Sequence, residues 1–139
     1  MITAVDSNVL IDVLEGDPEF GSHSAAALAL ACQSGTLIAC DVVWAEVATA
    51  YEPADNIVED LVAFGLQFIP MSMEAALGAA TAWARYRAAG GTRSRIAAGF
   101  LIGAHAARQA DRLLTRDTGF YRQHFSELAV IAPTELGTA

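Results

Sequence analysis

Short apolar runs alternate along the chain with longer stretches in which apolar residues recur every three or four positions. Ile2-Thr3-Ala4-Val5, Thr36-Leu37-Ile38-Ala39, Gln67-Phe68-Ile69-Pro70, Arg112-Leu113-Leu114-Thr115 and Ala129-Val130-Ile131 are the short runs, and each predicts a strand. The longer stretches predict helices. One starts at a Ser7 or Asn8 cap and runs through Glu15, stopped by Gly16-Asp17-Pro18. Residues 19–34 place Phe20, Ala27, Leu28 and Ala31 on one face, and Gly35 ends them. A third helix is capped by Asp41 and carries Val42, Val43, Ala45, Glu46 and Val47. Residues 54–65 form a fourth, ended by Gly65. A long alanine-rich helix follows from a Ser72 cap to Ala89, broken by Gly90-Gly91, and another spans Arg95 to Gln109. Strands that alternate with helices imply an α/β fold with a mainly parallel sheet and helices on both faces. No linker or repeat divides the chain. It reads as one domain over 1–134 with a loose tail at 135–139.

Composition sharpens this only in places. The chain has 139 residues, of which 54% are apolar, enough for one sizeable core. No apolar run approaches the roughly 20 residues that a membrane-spanning helix needs, and the amino terminus lacks the basic segment of a signal peptide. Cys32, on a helix, and Cys40, at a strand end, have neither disulfide-framework nor zinc spacing. Both are expected as buried apolar thiols, which fits a reduced cytoplasmic setting.

Charge changes the picture more. The net charge is −8, which by itself disfavours nucleic acid. There is no lysine, and all eight arginines lie between Arg85 and Arg122. That stretch contains two acids, Asp111 and Asp117, and so carries +6, whereas the remainder holds fourteen acids and no lysine or arginine. An acidic body with one arginine-rich region can offer a rim for phosphate. The same pattern also suits a solvated helix face.

Three acids sit at or just beyond the ends of predicted strands. Asp6 follows the first, Glu46 lies on the helix after the second, and Asp117 follows Leu113-Leu114-Thr115-Arg116. Sites in open α/β sheets gather at the carboxyl ends of strands. Carboxylates that converge there repel one another unless a hard cation lies among them, so the pattern points to Mg²⁺ or Mn²⁺. Each acid also has an ordinary reading: Asp6 as a helix cap, which Ser7 or Asn8 could replace; Glu46 as a half-exposed helix residue; Asp117 as a turn acid before Thr118-Gly119. Around them, Asn8 can orient a ligand or water, Thr115 can hydrogen-bond a carboxylate or phosphate, and Arg112 and Arg116 can meet phosphate. His105 reads as a structural residue of its helix. His23 and His124 have no partner at metal-ligand spacing. No glycine-rich phosphate loop is present. A receiver-like phospho-acceptor domain is disfavoured by the missing late lysine.

Four segments carry a family resemblance: Val5-Asp6-Ser7-Asn8-Val9-Leu10-Ile11-Asp12, Val43-Trp44-Ala45-Glu46-Val47, Phe100-Leu101-Ile102-Gly103-Ala104-His105-Ala106, and Asp111 through Tyr121. Together they span nearly the whole chain, and it resembles the PIN-domain ribonucleases, in particular VapC-type toxins of toxin–antitoxin pairs. The resemblance implies a three-layer α/β/α PIN-like fold with a small, mainly parallel central sheet. It implies a metal-dependent endoribonuclease in which Asp6, Glu46 and Asp117 hold Mg²⁺ or Mn²⁺ and cut RNA. It also implies a cognate antitoxin as partner, and a homodimer, for which the alanine-rich faces of 74–89 and 97–107 are candidates unless they serve the core. The family carries an aspartate just before its Phe-Leu-Ile-Gly-Ala-His run, where this chain has Gly99. Two accounts stand open. The natural protein is altered or binds without cutting, or this copy carries a disarming change.

Overall fold

The computed structural model describes residues 1–136. Its centre is a five-stranded, all-parallel sheet in the order β3-β2-β1-β4-β5, formed by β1 (Ile2–Val5), β2 (Thr36–Ala39), β3 (Leu66–Phe68), β4 (Arg112–Leu114) and β5 (Val130–Ile131). Thr3, Ala4 and Val5 align with Arg112, Leu113 and Leu114 on one side, and Ile2, Thr3 and Ala4 with Thr36, Leu37 and Ile38 on the other. The three interior strands, β2, β1 and β4, are buried along most of their length, which is why they read as largely apolar runs rather than alternating ones.

The helices are α1 (Ser7–Leu14), α2 (Gly21–Gln33), α3 (Asp41–Ala48), α4 (Ile57–Ala63), α5 (Met73–Ala88), α6 (Ala98–Gln109), α7 (Thr118–His124) and α8 (Pro133–Leu136). One group joins α1, α2 and α8; a second joins α5, α6 and α7; α3 touches both α1 and α6. With the sheet they form a three-layer α/β/α fold. The alanine-rich faces of α5 and α6 pack on each other inside the molecule, where small side chains let the two backbones approach. Gly103 on α6 lies so close to Phe125 that a Cβ there would sit 2.4 Å from the ring. His105 is buried on the same helix, its Nε2 2.9 Å from the carbonyl of Ile69. Burial holds its imidazole below the usual pKa, as suits a structural histidine. No helix among the described residues is long and apolar enough to cross a membrane.

Several local expectations need correction. The cap of α1 is Asp6, whose carboxylate accepts from the Ser7 N–H, not Ser7 or Asn8. The α3 cap position falls on Cys40, with Asp41 as the first helical residue. Residues 54–65 divide into a 3₁₀ turn (Ala54–Asn56) and α4, which Gly65 ends with φ +81°. The third strand begins one residue earlier and ends at Phe68. Cys32 is exposed, whereas Cys40 is buried. Helices α7 and α8 had no counterpart in the sequence reading. Glu135 and Leu136 belong to α8, and the rest of the expected tail, 137–139, lies outside the described residues.

Candidate functional site

β1 and β4 end side by side, and the ladder continues one step beyond them, from the Asp6 N–H to the Leu114 carbonyl at 3.0 Å. This step turns the Asp6 side chain into the crevice at the carboxyl ends of the strands. One carboxylate oxygen, Oδ1, accepts from the Ser7 N–H at 2.8 Å, and the other, Oδ2, accepts from the Thr115 hydroxyl at 2.8 Å. Tyr121, buried one turn into α7, also hydrogen-bonds to this carboxylate. The Ser7 hydroxyl then reaches across to α3 and donates to Glu46 Oε1 at 2.8 Å, lying 3.4 Å from Asp6 Oδ1. Asp6 and Glu46 are thus linked through one hydroxyl.

Asp6 is only 5% exposed. Burial pushes its carboxyl above the ordinary aspartate value; the donors from Thr115, Tyr121 and Ser7 pull it back, and the charge of Glu46 adds to the rise. The Tyr121 hydroxyl is raised for related reasons: burial first, then the charges of Asp6, Asp117 and Glu46. All three predicted acids therefore act on one point. Their exposure differs. Glu46 and Asp117 are open to solvent, so the apolar neighbours of Glu46 impose no burial on it.

Asn8 and Thr115 support the same corner. Asn8 Nδ2 lies 3.4 Å from both Asp6 Oδ2 and Thr115 Oγ1, and its Oδ1 accepts from the Arg116 N–H at 3.1 Å. Thr115 Oγ1 also accepts from the Asp117 N–H at 3.0 Å, which fixes the start of α7. The two side chains orient Asp6 and the Asp117 backbone.

The two arginines expected at phosphate are placed elsewhere. Arg112 opens β4 at its amino end and donates to Thr3 Oγ1 at 2.9 Å and Ser34 Oγ at 3.4 Å, toward the amino ends of the strands and away from Asp6 at their carboxyl ends. Arg116 makes a two-pronged pair with Asp12, at 2.7 and 3.0 Å, and stacks 4.0 Å over the Phe20 ring. Asp12 is 3% exposed and also accepts from the buried Ser24 hydroxyl at 2.9 Å. Asp12→Ala is expected to cost about 2–3 kcal/mol in urea unfolding, because Ser24 loses its acceptor in the interior. The half-exposed Arg116 partly regains water, which keeps the loss below that of a fully buried pair. A loss under about 0.5 kcal/mol would reduce the pair to a surface contact.

Gly99, the second residue of α6, lies beneath Phe120 of α7. A Cβ built at Gly99 would stand 2.6 Å from Phe120 Cε1 and 2.9 Å from Cζ. Among the described residues no three His, Cys, Asp or Glu side chains stand close enough to hold an ion between them. The donors that do converge are hard oxygens: the Asp6 and Glu46 carboxylates with the Ser7 hydroxyl between them. Such a set fits a hard divalent ion that keeps several waters, as Mg²⁺ does, but not a closed protein cage. Two residues of this corner were missed as participants in the sequence. Ser7 was read only as a helix cap. Tyr121 carried a usable signal, since it follows Asp117 by four residues and would share its face on a helix.

The sequence profile of the PIN domain family matches residues 3–125. No curated protein sequence matches the chain. Among solved structures, VapBC2 from Rickettsia felis, bound to a DNA fragment from its promoter, aligns with a TM-score of 0.73 at 16% identity, over 95% of this chain and 98% of that one. VapBC-1 from nontypeable Haemophilus influenzae gives 0.71 at 17%, over 96% and 99%. FitAcB from Neisseria gonorrhoeae gives 0.64 at 20%, over 96% and 98%. At these identities the likeness is one of fold.

Proposed function

Because the chain belongs to the PIN-domain family, we propose that it is a metal-dependent endoribonuclease of the VapC type, the toxin of a toxin–antitoxin pair. The observation that carries this reading is the buried Asp6 carboxylate, hydrogen-bonded to Thr115 and Tyr121 and joined through Ser7 to Glu46, with the charge of Asp117 also felt at Tyr121. Asp6 and Glu46 would hold Mg²⁺ or Mn²⁺, with Asp117 completing the acidic face. The ion would lower the pKa of a water nucleophile and neutralise charge on the phosphodiester. Thr115 and the Ser7 N–H fix the Asp6 carboxylate so that its oxygens need not reorganise on binding. The Ser7 hydroxyl holds Glu46 against its mobility as an exposed side chain. Tyr121 shields the inner side of Asp6 from water.

Single-stranded or loop RNA is the proposed substrate, because its backbone can bend into an acidic cleft. The proposed partner is a cognate antitoxin, in line with the VapBC complexes the fold resembles. An apolar hollow lined by Val13, Ala25, Leu28, Ala29, Cys32 and Phe64 offers it a surface. A homodimer also belongs to this reading. So does a cytoplasmic location.

One observation favours a second reading, a PIN module that binds RNA or an antitoxin without cutting. Position 99 has no carboxylate, and Phe120 covers it. RNA cleavage with Mn²⁺ or Mg²⁺ against an EDTA control, beside calorimetric Mn²⁺ binding, separates the two. Metal-dependent cleavage supports the nuclease; RNA binding without cleavage or Mn²⁺ uptake supports the binding module.

The raised Asp6 pKa gives a further check. Only the ionised carboxylate binds a hard cation, and folded Asp6 takes up its proton at a higher pH than an ordinary aspartate. Mn²⁺ affinity is therefore expected to weaken on acidification while the pH is still above 3.8, the ordinary aspartate value. Calorimetry at a series of pH values reads this directly. Affinity that stays flat down to that value would remove Asp6 from the ligand set.

A further inference from the structure

The RNA backbone needs a basic surface, and neither Arg112 nor Arg116 supplies one at the crevice. A groove of about 550 Å³ lies between the end of α5, the turn after it, and α7; it is lined by Arg85, Tyr86, Gly90, Gly91, Gln123 and His124. Its walls are folded by their own contacts. Tyr86 lies flat under Gly91, where a Cβ would meet the ring at 2.4 Å, and its hydroxyl accepts from the Arg93 N–H at 3.2 Å. Arg87 clasps the turn by donating to the carbonyls of Gly91 at 3.0 Å and Arg93 at 2.6 Å. Gly90 makes the turn with φ +95°.

This arrangement uses Arg87 and leaves the charges of its neighbours uncommitted. Among the described residues, Arg85 and Arg93 form no ion pair, and both are exposed. No acid lies between Arg85 and Arg95 in the sequence. On its other side Arg85 lines a smaller hollow with Arg108 and Glu127, again without pairing. In a chain of net charge −8, four arginines within eleven residues form a local cationic surface that polyanions would find.

The groove also lies along the path from the acids. His124 ends α7, the helix that Asp117 begins, so seven residues of helix separate them by roughly 10 Å. The His124 ring stands 4.8 Å from Phe120, which covers Gly99, and 5.9 Å from Tyr86 in the groove. A continuous aromatic surface therefore joins the crevice to the basic turn, and unstacked bases can rest on such rings.

We propose that the groove between the α5–α6 turn and α7 binds the phosphodiester backbone of single-stranded RNA, with Arg85 in its wall and Arg93, exposed on the adjoining turn, as its phosphate contacts. This rests on the ribonuclease reading for the identity of the polyanion, and it moves the phosphate contacts from Arg112 and Arg116 to the turn. The two claims are tested separately by measuring binding in EDTA, where nothing is cut. A fluorescein-labelled oligouridylate of about 15 nucleotides is titrated with the full chain at several salt concentrations between about 50 and 200 mM. Arg85→Ala/Arg93→Ala is expected to flatten the slope of log affinity against log salt by about 1.4, near 0.7 for each phosphate contact to a single strand. Arg85→Lys/Arg93→Lys is expected to keep the slope, because charge rather than fold is being read, and Arg112→Ala is expected to leave it unchanged. Melting temperatures confirm that each variant is folded.

An unchanged slope in the alanine pair, or loss of slope in the lysine pair, overturns the groove, as does failure of the wild-type chain to bind the oligomer at the lowest salt. Binding with the expected slopes but no cleavage in Mn²⁺ keeps the groove and removes the nuclease. Cleavage with an unchanged slope in the alanine pair does the reverse.

Discussion

Gly99→Asp is expected to raise Mn²⁺ affinity and RNA cleavage together, each by roughly tenfold or more, since affinity for hard cations follows the number of anionic oxygens offered. The local chemistry favours the change. Position 99 is the second residue of α6, which has no acid in its first turn, and a carboxylate there meets the positive end of the helix. Aspartate also restricts the unfolded chain more than glycine does. The obstacle is Phe120, whose outer ring atoms stand 2.6 and 2.9 Å from where the new Cβ would lie. These atoms are the far end of a half-buried side chain, so the ring can swing, but it must leave its contacts with Phe100, Tyr121 and His124. The gain is therefore expected to be larger in Gly99→Asp/Phe120→Ala than in the single variant. Calorimetry and a gel assay on the same preparations measure both quantities. If affinity and cleavage are unaltered in both variants, position 99 lies outside the working site.

The second large effect concerns Asp6, and it runs in opposite directions for activity and stability. Asp6→Asn is expected to abolish metal-dependent cleavage, with a loss of at least about a hundredfold, since even residues that merely support metal ligands cost ten- to a hundredfold. The metal-free protein should nevertheless become more stable at neutral pH. The folded carboxyl has a raised pKa, so it binds its proton more tightly than the unfolded chain does. Ionised Asp6 therefore opposes folding, and that penalty fades as the pH falls through the folded value toward 3.8. Asparagine removes the charge while its side-chain oxygen can still accept from Ser7 N. A melting temperature that rises at pH 7 but converges with the wild type in acid is the expected signature. A variant that is destabilised at neutral pH, or that still cuts RNA, would contradict this account of Asp6.

Strands β1, β2 and β4 were legible because burial on both faces leaves short runs that are mostly apolar, with Thr3 the one polar residue inside β1. The register that brings Asp6 beside Thr115 follows from those runs lying parallel. The face of α2 was legible too: Ala27, Leu28 and Ala31 are buried as its period requires. Cys32 sits one position on from Ala31, about 100° around the helix, and so leaves the core; its apolar character outweighed its phase in the reading. Helix α7 was hidden by Asp117-Thr118-Gly119, which favours a turn when taken alone. Tyr121 and Phe125, buried beyond it, hold the segment helical.

The candidate site was legible as acids at strand ends but not as a network. That Ser7 links Asp6 to Glu46 depends on the angle at which α1 and α3 meet. That Arg116 serves Asp12 depends on a partner 104 residues away. Local chemistry made Arg116 a phosphate ligand, whereas the nearer competing charge took it.

The position of β1 at the centre of the sheet has a consequence for how the protein is made. β1 pairs with β2 soon after it in the sequence, but its other neighbour, β4, comes far later, and Thr115 follows Asp6 by 109 residues. At the usual pace of synthesis, about 5–20 residues per second, that interval lasts several seconds. Throughout it one edge of β1 is open and the Asp6 carboxylate lacks its Thr115 and Tyr121 donors. A nascent chain therefore emerges without its acidic corner, which closes only when β4 and α7 have left the ribosome. Synthesis itself thus delays the moment at which any activity of this corner could begin.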